Sequence, residues 1–317
     1  MPEIILWGIV FIGSLLVLIK SSDYFIEAAE KIGLALGIPS FIIGVTIIAL
    51  GTSIPELASS IVAVQKGATE IVISNVIGSN ITNVFLVLGI VLLLSKAKSI
   101  DMDFSKSDAI LLIGSALLLT FASWDGQFTF IEACACIVGL IMYLFSYYRK
   151  YQKEQDDIEG IIERPPLKIQ YFLILLASIV GIYFSAEYNI EAIIKIAEIL
   201  EIGKEIITLS AVALGTSLPE LFVSIAAVRK GQSEMAIGNI LGSNILNVLV
   251  VMGIPGLLGT LAIPPIITTI SLPLFLVATF ALFLVLRFRR VENWAGIVLL
   301  CLYVGFFGSL IFQNISA

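Results

Sequence analysis

Histidine is missing altogether from the 317 residues, and charged side chains make up only 13% of them. Without imidazole, the commonest general base and the commonest ligand for zinc, copper and nickel are both excluded. Serine–histidine and cysteine–histidine nucleophilic pairs go with it, so nothing here looks like an enzyme's catalytic set. Cysteine is scarce as well. Cys134, Cys136 and Cys301 lie within apolar runs and read as small buried hydrophobes, and two cysteines one residue apart do not make a zinc site. A formal net charge of −6 offers no basic surface to nucleic acid. No cleavable leader is expected, because the first apolar stretch runs on into an amphipathic segment without a small-residue cleavage pattern.

What is present is apolar: 59% of residues are hydrophobic and the mean hydropathy is +1.06. A soluble domain carries roughly a quarter charged residues, so this chain belongs in lipid. A helix crossing the hydrocarbon core needs about 20 apolar residues. Ten stretches qualify, near 3–33, 40–65, 70–95, 107–123, 128–148, 168–198, 205–228, 234–259, 266–287 and 292–312. The expected fold class is therefore an all-α polytopic membrane protein with ten transmembrane helices. The polar stretch with Pro165 and Pro166 is the one linker of any length. It divides the chain into a five-helix repeat over 1–148, a cytoplasmic linker over 149–167 and a second five-helix repeat over 168–317.

Basic residues choose the orientation. Alternate loops on one side hold Lys31, Lys96, Lys98, Lys106, Arg149, Lys150, Lys153, Arg164, Lys168, Arg229, Lys230, Arg287, Arg289 and Arg290, which is 14. The other side has Lys66, Lys195 and Lys204, which is 3, and Lys20 lies within the first span. The bias places both termini outside the cytoplasm of a multi-pass protein of the cell membrane.

Adding 164 to a residue number carries the first half onto the second without a gap. Gly51-Thr52-Ser53-Ile54-Pro55-Glu56 becomes Gly215-Thr216-Ser217-Leu218-Pro219-Glu220, and Gly78-Ser79-Asn80-Ile81-Thr82-Asn83 becomes Gly242-Ser243-Asn244-Ile245-Leu246-Asn247. From Ile42 to Ile90, 28 of 49 positions are identical to their counterparts, far beyond what shared hydrophobicity gives. Tyr24, Glu27 and Lys31 match Tyr188, Glu191 and Lys195 at the same offset. Five spans is an odd number, so the halves enter the membrane in opposite directions. Inverted repeats are the architecture of secondary transporters, with the substrate near mid-membrane where the halves meet.

The repeated residues say what the substrate is. Proline and glycine at mid-span break the helix and free carbonyl oxygens, which is tolerated only where backbone is buried in protein or lines a wet cavity. Beside each break sits a carboxylate, Glu56 or Glu220, with no repeated Lys or Arg close in sequence to neutralise it. An ionised group at that depth costs several kcal/mol unless paired, so its partner is something the protein binds. Two carboxylates, hydroxyls, amides and freed carbonyls, without sulfur or imidazole, make an all-oxygen site for a hard cation. The charge of −2 matches one Ca²⁺. Ser79 and Asn83, like Ser243 and Asn247, are four apart and share a helix face. A single such motif would fit a kink with a packing polar residue; duplication at a fixed offset favours binding.

Other polar residues read more plainly. Asn80 and Asn244 lie off that face and are expected to hydrogen-bond between helices. Asp23, Glu27 and Glu30, with Glu187 and Glu191, form solvated stripes near a cavity mouth. Asp101, Asp103, Asp108 and Asp125 read as solvated loop charges.

At Gly-Thr-Ser-x-Pro-Glu followed by Gly-Ser-Asn-Ile-x-Asn, twice over, the whole chain resembles the sodium/calcium exchangers of the calcium:cation antiporter superfamily, especially their compact prokaryotic members. The resemblance implies four ion sites between the second, third, seventh and eighth helices, with Ca²⁺ and Na⁺ as transported substrates and no cofactor. Glu56 and Glu220 would be the shared carboxylate ligands. Thr52 and Thr216 would offer backbone carbonyls to Ca²⁺, and Ala49 and Ala213 carbonyls to Na⁺. Ser53, Ser79, Ser217 and Ser243 would give side-chain oxygens to outer Na⁺ sites, and Asn83 and Asn247 would border the central one. The first and sixth helices would slide to alternate access, with three Na⁺ moved per Ca²⁺. Some relatives, including potassium-dependent ones, have Asp where this chain has Asn247, so the amide argues against K⁺ co-transport. Ca²⁺/H⁺ exchange, K⁺-dependent exchange and a passive cation channel are the alternatives. The bilayer is an expected partner; the sequence names no protein partner.

Overall fold

The computed structural model of the chain describes residues 2–95, 104–158, 165–199, 217–288 and 293–316. Nearly all of these residues are helical, as lipid requires: hydrocarbon offers no partner to an open backbone N–H or C=O. Among the described residues, the strands are two residues each. Gln127–Phe128 and Leu261–Ala262 pair antiparallel, with Gln127 opposite Ala262.

The helices follow the expected order. The first is Pro2–Leu36. The second span is built from Ser40–Ile43, a π-helical Gly44–Ile48, Ala49–Thr52 and, after a break at Ser53, Ile54–Gln65. The third runs through Glu70–Thr82, a π-helical Asn83–Leu88 and Gly89–Leu94. Lys106–Ala122, Phe130–Ile158 and Ile169–Ile199 are the fourth, fifth and sixth. Of the seventh span, Leu218–Arg229 lies in the described residues. The eighth comprises Ser233–Leu246, a π-helical Asn247–Met252 and Gly253–Leu258. The ninth is Ile267–Ser271 leading into Leu272–Phe288, and the tenth is Asn293–Ser316. Seven of the described helices are long and apolar enough to cross a membrane by themselves. The fifth helix runs on to Ile158, so the first ten residues of the expected linker are helical.

The spans are layered. The third and eighth are the most buried, whereas the first and sixth lie against each other along their length and expose apolar side chains such as Ile5, Ile9, Leu173 and Leu176 outward. Between the halves, backbones meet. A Cβ on Gly242 would lie 2.4 Å from the carbonyl oxygen of Val45, one on Gly238 would lie 2.6 Å from that of Phe41, and one on Gly44 would lie 2.4 Å from that of Met235. Gly238 and Gly242 are the small-x-x-x-small spacing that lets membrane helices approach closely. It presses the eighth span onto the break of the second.

The inversion is visible in the loops. Helices Ile54–Gln65 and Leu218–Arg229 end alike: Ala68 N–H donates to Ala63 C=O at 2.9 Å and Gln232 N–H to Ala227 C=O at 2.8 Å. Gly67 and Gly231 take φ of +74° and +79°, the left-handed C-cap that glycine adopts without strain. Yet these matching turns stand at opposite ends of the molecule. Lys230 Nζ reaches the Asp23 carbonyl at 2.9 Å, near Lys31. The other turn leads into Thr69, whose hydroxyl accepts from Ala262 N–H at 3.1 Å beside the strand pair.

Further contacts gather loops at the end that carries Lys31 and Lys230, both paired with Glu27. Lys31 lies over the Tyr171 ring at 5.6 Å, Tyr151 Oη donates to the Leu36 carbonyl at 3.1 Å, and Ser95 and Ser233 pair at 3.1 Å. All belong to the basic end.

Two expectations need correction. Asp108 is not a solvated loop charge. It is the third residue of Lys106–Ala122, buried, and closes a capping box with Ser105, whose N–H it accepts at 2.7 Å. Tyr147 Oη also donates to it at 2.7 Å, and Lys150 Nζ lies 3.4 Å away. Asp125 does accept the Gln127 N–H at 3.1 Å in its turn; Asp101 and Asp103 lie outside the described residues. Of the cysteines, only Cys136 is buried; Cys134 is half-buried, and Cys301 is exposed on the last helix, a face that lipid covers.

Candidate ion-binding site

The two halves enter a helix in the same way. Ser53 (φ −86°, ψ 2°) and Ser217 (φ −91°, ψ 3°) lie off the α-helical conformation just before Ile54–Gln65 and Leu218–Arg229. Pro55 and Pro219 sit in the first turn that follows, where a missing N–H costs nothing. Glu56 and Glu220 therefore fall in the first turn of a helix, at its positive end.

Both glutamates are fully buried, and neither carboxylate has a hydrogen-bond partner among the described residues. Two like charges, buried and unpaired, are a costly arrangement unless a cation joins them. No group of three or more acidic or cysteine side chains gathers among the described residues, so this pair carries the negative charge.

Around the pair, oxygen atoms are left open. Ser53 Oγ, Ser217 Oγ, Asn83 Oδ1 and Asn247 Oδ1 are buried and unpartnered among the described residues. Ser79 and Ser243 are buried on the same faces as Asn83 and Asn247. Asn247 shows how the opening is made. Its Nδ2 donates to Asn80 Oδ1 at 2.9 Å, and Asn80 Nδ2 donates to the Asn244 carbonyl at 3.1 Å. The Asn247 amide nitrogen is thus engaged, and its oxygen has no partner among the described residues. Asn80 bridges the halves, as expected of a helix-to-helix hydrogen bond; the Asn244 side chain, buried too, makes no such bond among the described residues. Asn83 and Asn247 each open a π-helical turn, a feature frequent at functional sites.

Some implied ligands are less open. The Ala49 carbonyl accepts the Ser53 N–H at 3.1 Å, and the Thr52 hydroxyl lies 3.4 Å from it. Thr52 is buried at the break and also contacts Ser243 Oγ at 3.3 Å. Thr216 and Ala213 lie outside the described residues. Glu27 pairs with Lys31 at 2.6 Å and Lys230 at 3.6 Å, and Gln232 donates to Glu30 at 2.6 Å. The acidic stripe of the first helix therefore serves the basic end, away from the breaks.

Sequence reasoning passed over two residues that belong here. Asn75 Nδ2 approaches the Glu56 carbonyl at 3.4 Å and the Ser59 and Ser60 hydroxyls at 3.3 Å each. Asn239 accepts the Thr52 hydroxyl at 3.1 Å and donates to Ser224 at 3.0 Å. The signal was available: Asn75 and Asn239, like Ser60 and Ser224, repeat at the same offset, and each asparagine stands four residues before Ser79 or Ser243.

This geometry agrees with what the chain is similar to. The profile of the sodium/calcium exchanger protein family matches residues 6–149 and again 170–312. The chain belongs to that family. Sodium/calcium exchanger MaX1 of Methanosarcina acetivorans is 32% identical over 350 aligned residues, covering 96% of both chains. Among solved structures, the sodium-calcium exchanger NCX_Mj soaked with Na⁺ and Ca²⁺ superimposes with a TM-score of 0.83 at 29% identity, covering 96% of this chain and 99% of that one. The same exchanger without Na⁺ and Ca²⁺ gives a TM-score of 0.80 at 30% identity. The profile thus matches the chain twice, once on each side of Pro165 and Pro166. Membership makes the chain a multi-pass membrane transporter rather than an enzyme, with the family's inverted-repeat fold of broken helices.

Proposed function

We propose that the chain exchanges Na⁺ for Ca²⁺ across the cell membrane by alternating access, without K⁺, at a site centred on Glu56 and Glu220. The observation that carries this reading is the pair of buried carboxylates, without a hydrogen-bond partner among the described residues, in the first turns of two helices related by the repeat. Ca²⁺ bridges the two glutamates and takes the carbonyls of Thr52 and Thr216. Na⁺ ions take flanking positions, with Ser53, Ser79, Ser217 and Ser243 as hydroxyl ligands and Ala49 and Ala213 as carbonyl ligands. Asn83 and Asn247 border the middle of the site. The halves 1–148 and 168–317 supply one glutamate each, and the linker 149–167 joins them on the cytoplasmic side. The basic end of the molecule faces the cytoplasm and both termini lie outside it.

The sliding pair of the first and sixth helices suits alternating access, because the two pack chiefly on each other and expose their outer faces to lipid. Radiolabelled Ca²⁺ uptake into Na⁺-loaded proteoliposomes tests the reading. Uptake should require internal Na⁺, collapse when the Na⁺ gradient is removed, and proceed without K⁺. Uptake that continues with Na⁺ absent from both sides would point to a channel or to proton coupling.

A further inference from the structure

Asn239 stands one turn before Ser243 on the same helix face and is fully buried. Its Oδ1 accepts from Thr52 Oγ1 at 3.1 Å and from Ser243 Oγ at 3.5 Å, while its Nδ2 donates to Ser224 Oγ at 3.0 Å. Two other acceptors of the Thr52 hydroxyl are farther off, Ser243 Oγ at 3.3 Å and the Ala49 carbonyl at 3.4 Å, and the Glu220 carboxylate is nearby but outside hydrogen-bond geometry with it. A hydroxyl has one proton and two lone pairs. A proton held by an acceptor behind the hydroxyl leaves the lone pairs directed to whatever lies in front.

We propose that Asn239 is a positioning residue for Na⁺: by taking up the hydroxyl proton of Thr52, it presents that oxygen to the ion cavity as a cation ligand. The proposal rests on the site reading given above. It also joins the halves, since Thr52 belongs to the first and Asn239 and Ser243 to the second. The backbone contacts at Gly238 and Gly242 fix the helix that carries Asn239 against the break that carries Thr52. The corresponding Asn75 is arranged differently, with its Nδ2 spent within its own half and its Oδ1 unpartnered among the described residues. Of these two asparagines, Asn239 makes the cross-half bond to a hydroxyl, and the inference concerns it alone.

The effect falls on Na⁺ more than on Ca²⁺, because hydroxyl oxygens serve the Na⁺ positions while the carboxylates dominate Ca²⁺ binding. Reconstituted protein is assayed for the Na⁺ concentration giving half-maximal Ca²⁺ exchange, and separately for Ca²⁺–Ca²⁺ self-exchange in the absence of Na⁺. Asn239→Ala should raise the Na⁺ requirement about fivefold, the size of one lost neutral hydrogen bond, with self-exchange within about twofold of the parent. Asn239→Asp keeps an acceptor behind the Thr52 hydroxyl and should need no more Na⁺ than the parent. Thr52→Val should raise the Na⁺ requirement as Asn239→Ala does, and the double variant should be no worse than either. An unchanged Na⁺ requirement in Asn239→Ala, or an equal loss of self-exchange, would overturn the proposal, as would Asn239→Asp behaving like the alanine variant. If the alanine variant does not fold, Asn239→Asp and Thr52→Val decide by themselves. Normal exchange in Glu56→Gln would instead refute the site reading on which the proposal stands.

Discussion

A glutamate at mid-membrane with no internal partner is unstable unless something else supplies positive charge, and Glu56 and Glu220 share that predicament. Glu56→Gln and Glu220→Gln each remove half the charge facing Ca²⁺. Losing one partner of a buried charge pair costs about 3–5 kcal/mol, so each variant should abolish Ca²⁺ exchange while the purified protein stays folded and monodisperse. Near-normal exchange by either would remove these residues from the site. At this scale the burial of the two glutamates was legible, because Glu56 and Glu220 repeat at one offset inside apolar runs. What was not legible depends on direction. That Asn247 turns its Nδ2 to Asn80, or that Thr52 gives its proton to Asn239, follows from side-chain orientation across the halves. Asp108 was misread for a related reason: a charge near a span's start looks solvated until the capping box and Tyr147 are seen.

The helix breaks were legible because proline and glycine in an apolar run have few other uses. The π-helical turns at Gly44–Ile48, Asn83–Leu88 and Asn247–Met252 were not, since one residue added to a turn leaves no mark in hydrophobicity. Nor did sequence distinguish the repeated glycines, which the structure separates sharply. A Cβ at Gly242 would meet Val45 backbone at 2.4 Å and the Ala49 Cβ at 2.6 Å, whereas one at its counterpart Gly78 meets nothing within 4 Å. Gly242→Ala should therefore cost about 1–3 kcal/mol as overpacking and lower the thermal denaturation midpoint in detergent. Gly78→Ala should be neutral or slightly stabilising, given alanine's better helix propensity. Equal effects from the two substitutions would show that the eighth span does not press on the second as described.

For the whole molecule, an odd number of spans per repeat already required inversion, and the matching turns at Gly67 and Gly231 stand at opposite ends accordingly. The charge count of the transported ions then sets the behaviour of the cycle. Two glutamates leave a Ca²⁺-loaded site near neutral and a site with three Na⁺ near +1, so the membrane potential should act on the sodium step. An inside-positive potential should speed Na⁺ exit coupled to Ca²⁺ entry in proteoliposomes; rates that ignore an imposed potential would mean a different stoichiometry. The most direct test of the central claim is equilibrium binding of radiolabelled Ca²⁺ to the purified protein, titrated with Na⁺. One Ca²⁺ per chain, displaced steeply by Na⁺ and untouched by K⁺, is the predicted result. Binding that Na⁺ does not displace, or two Ca²⁺ held per chain, would contradict a single site shared by Glu56 and Glu220.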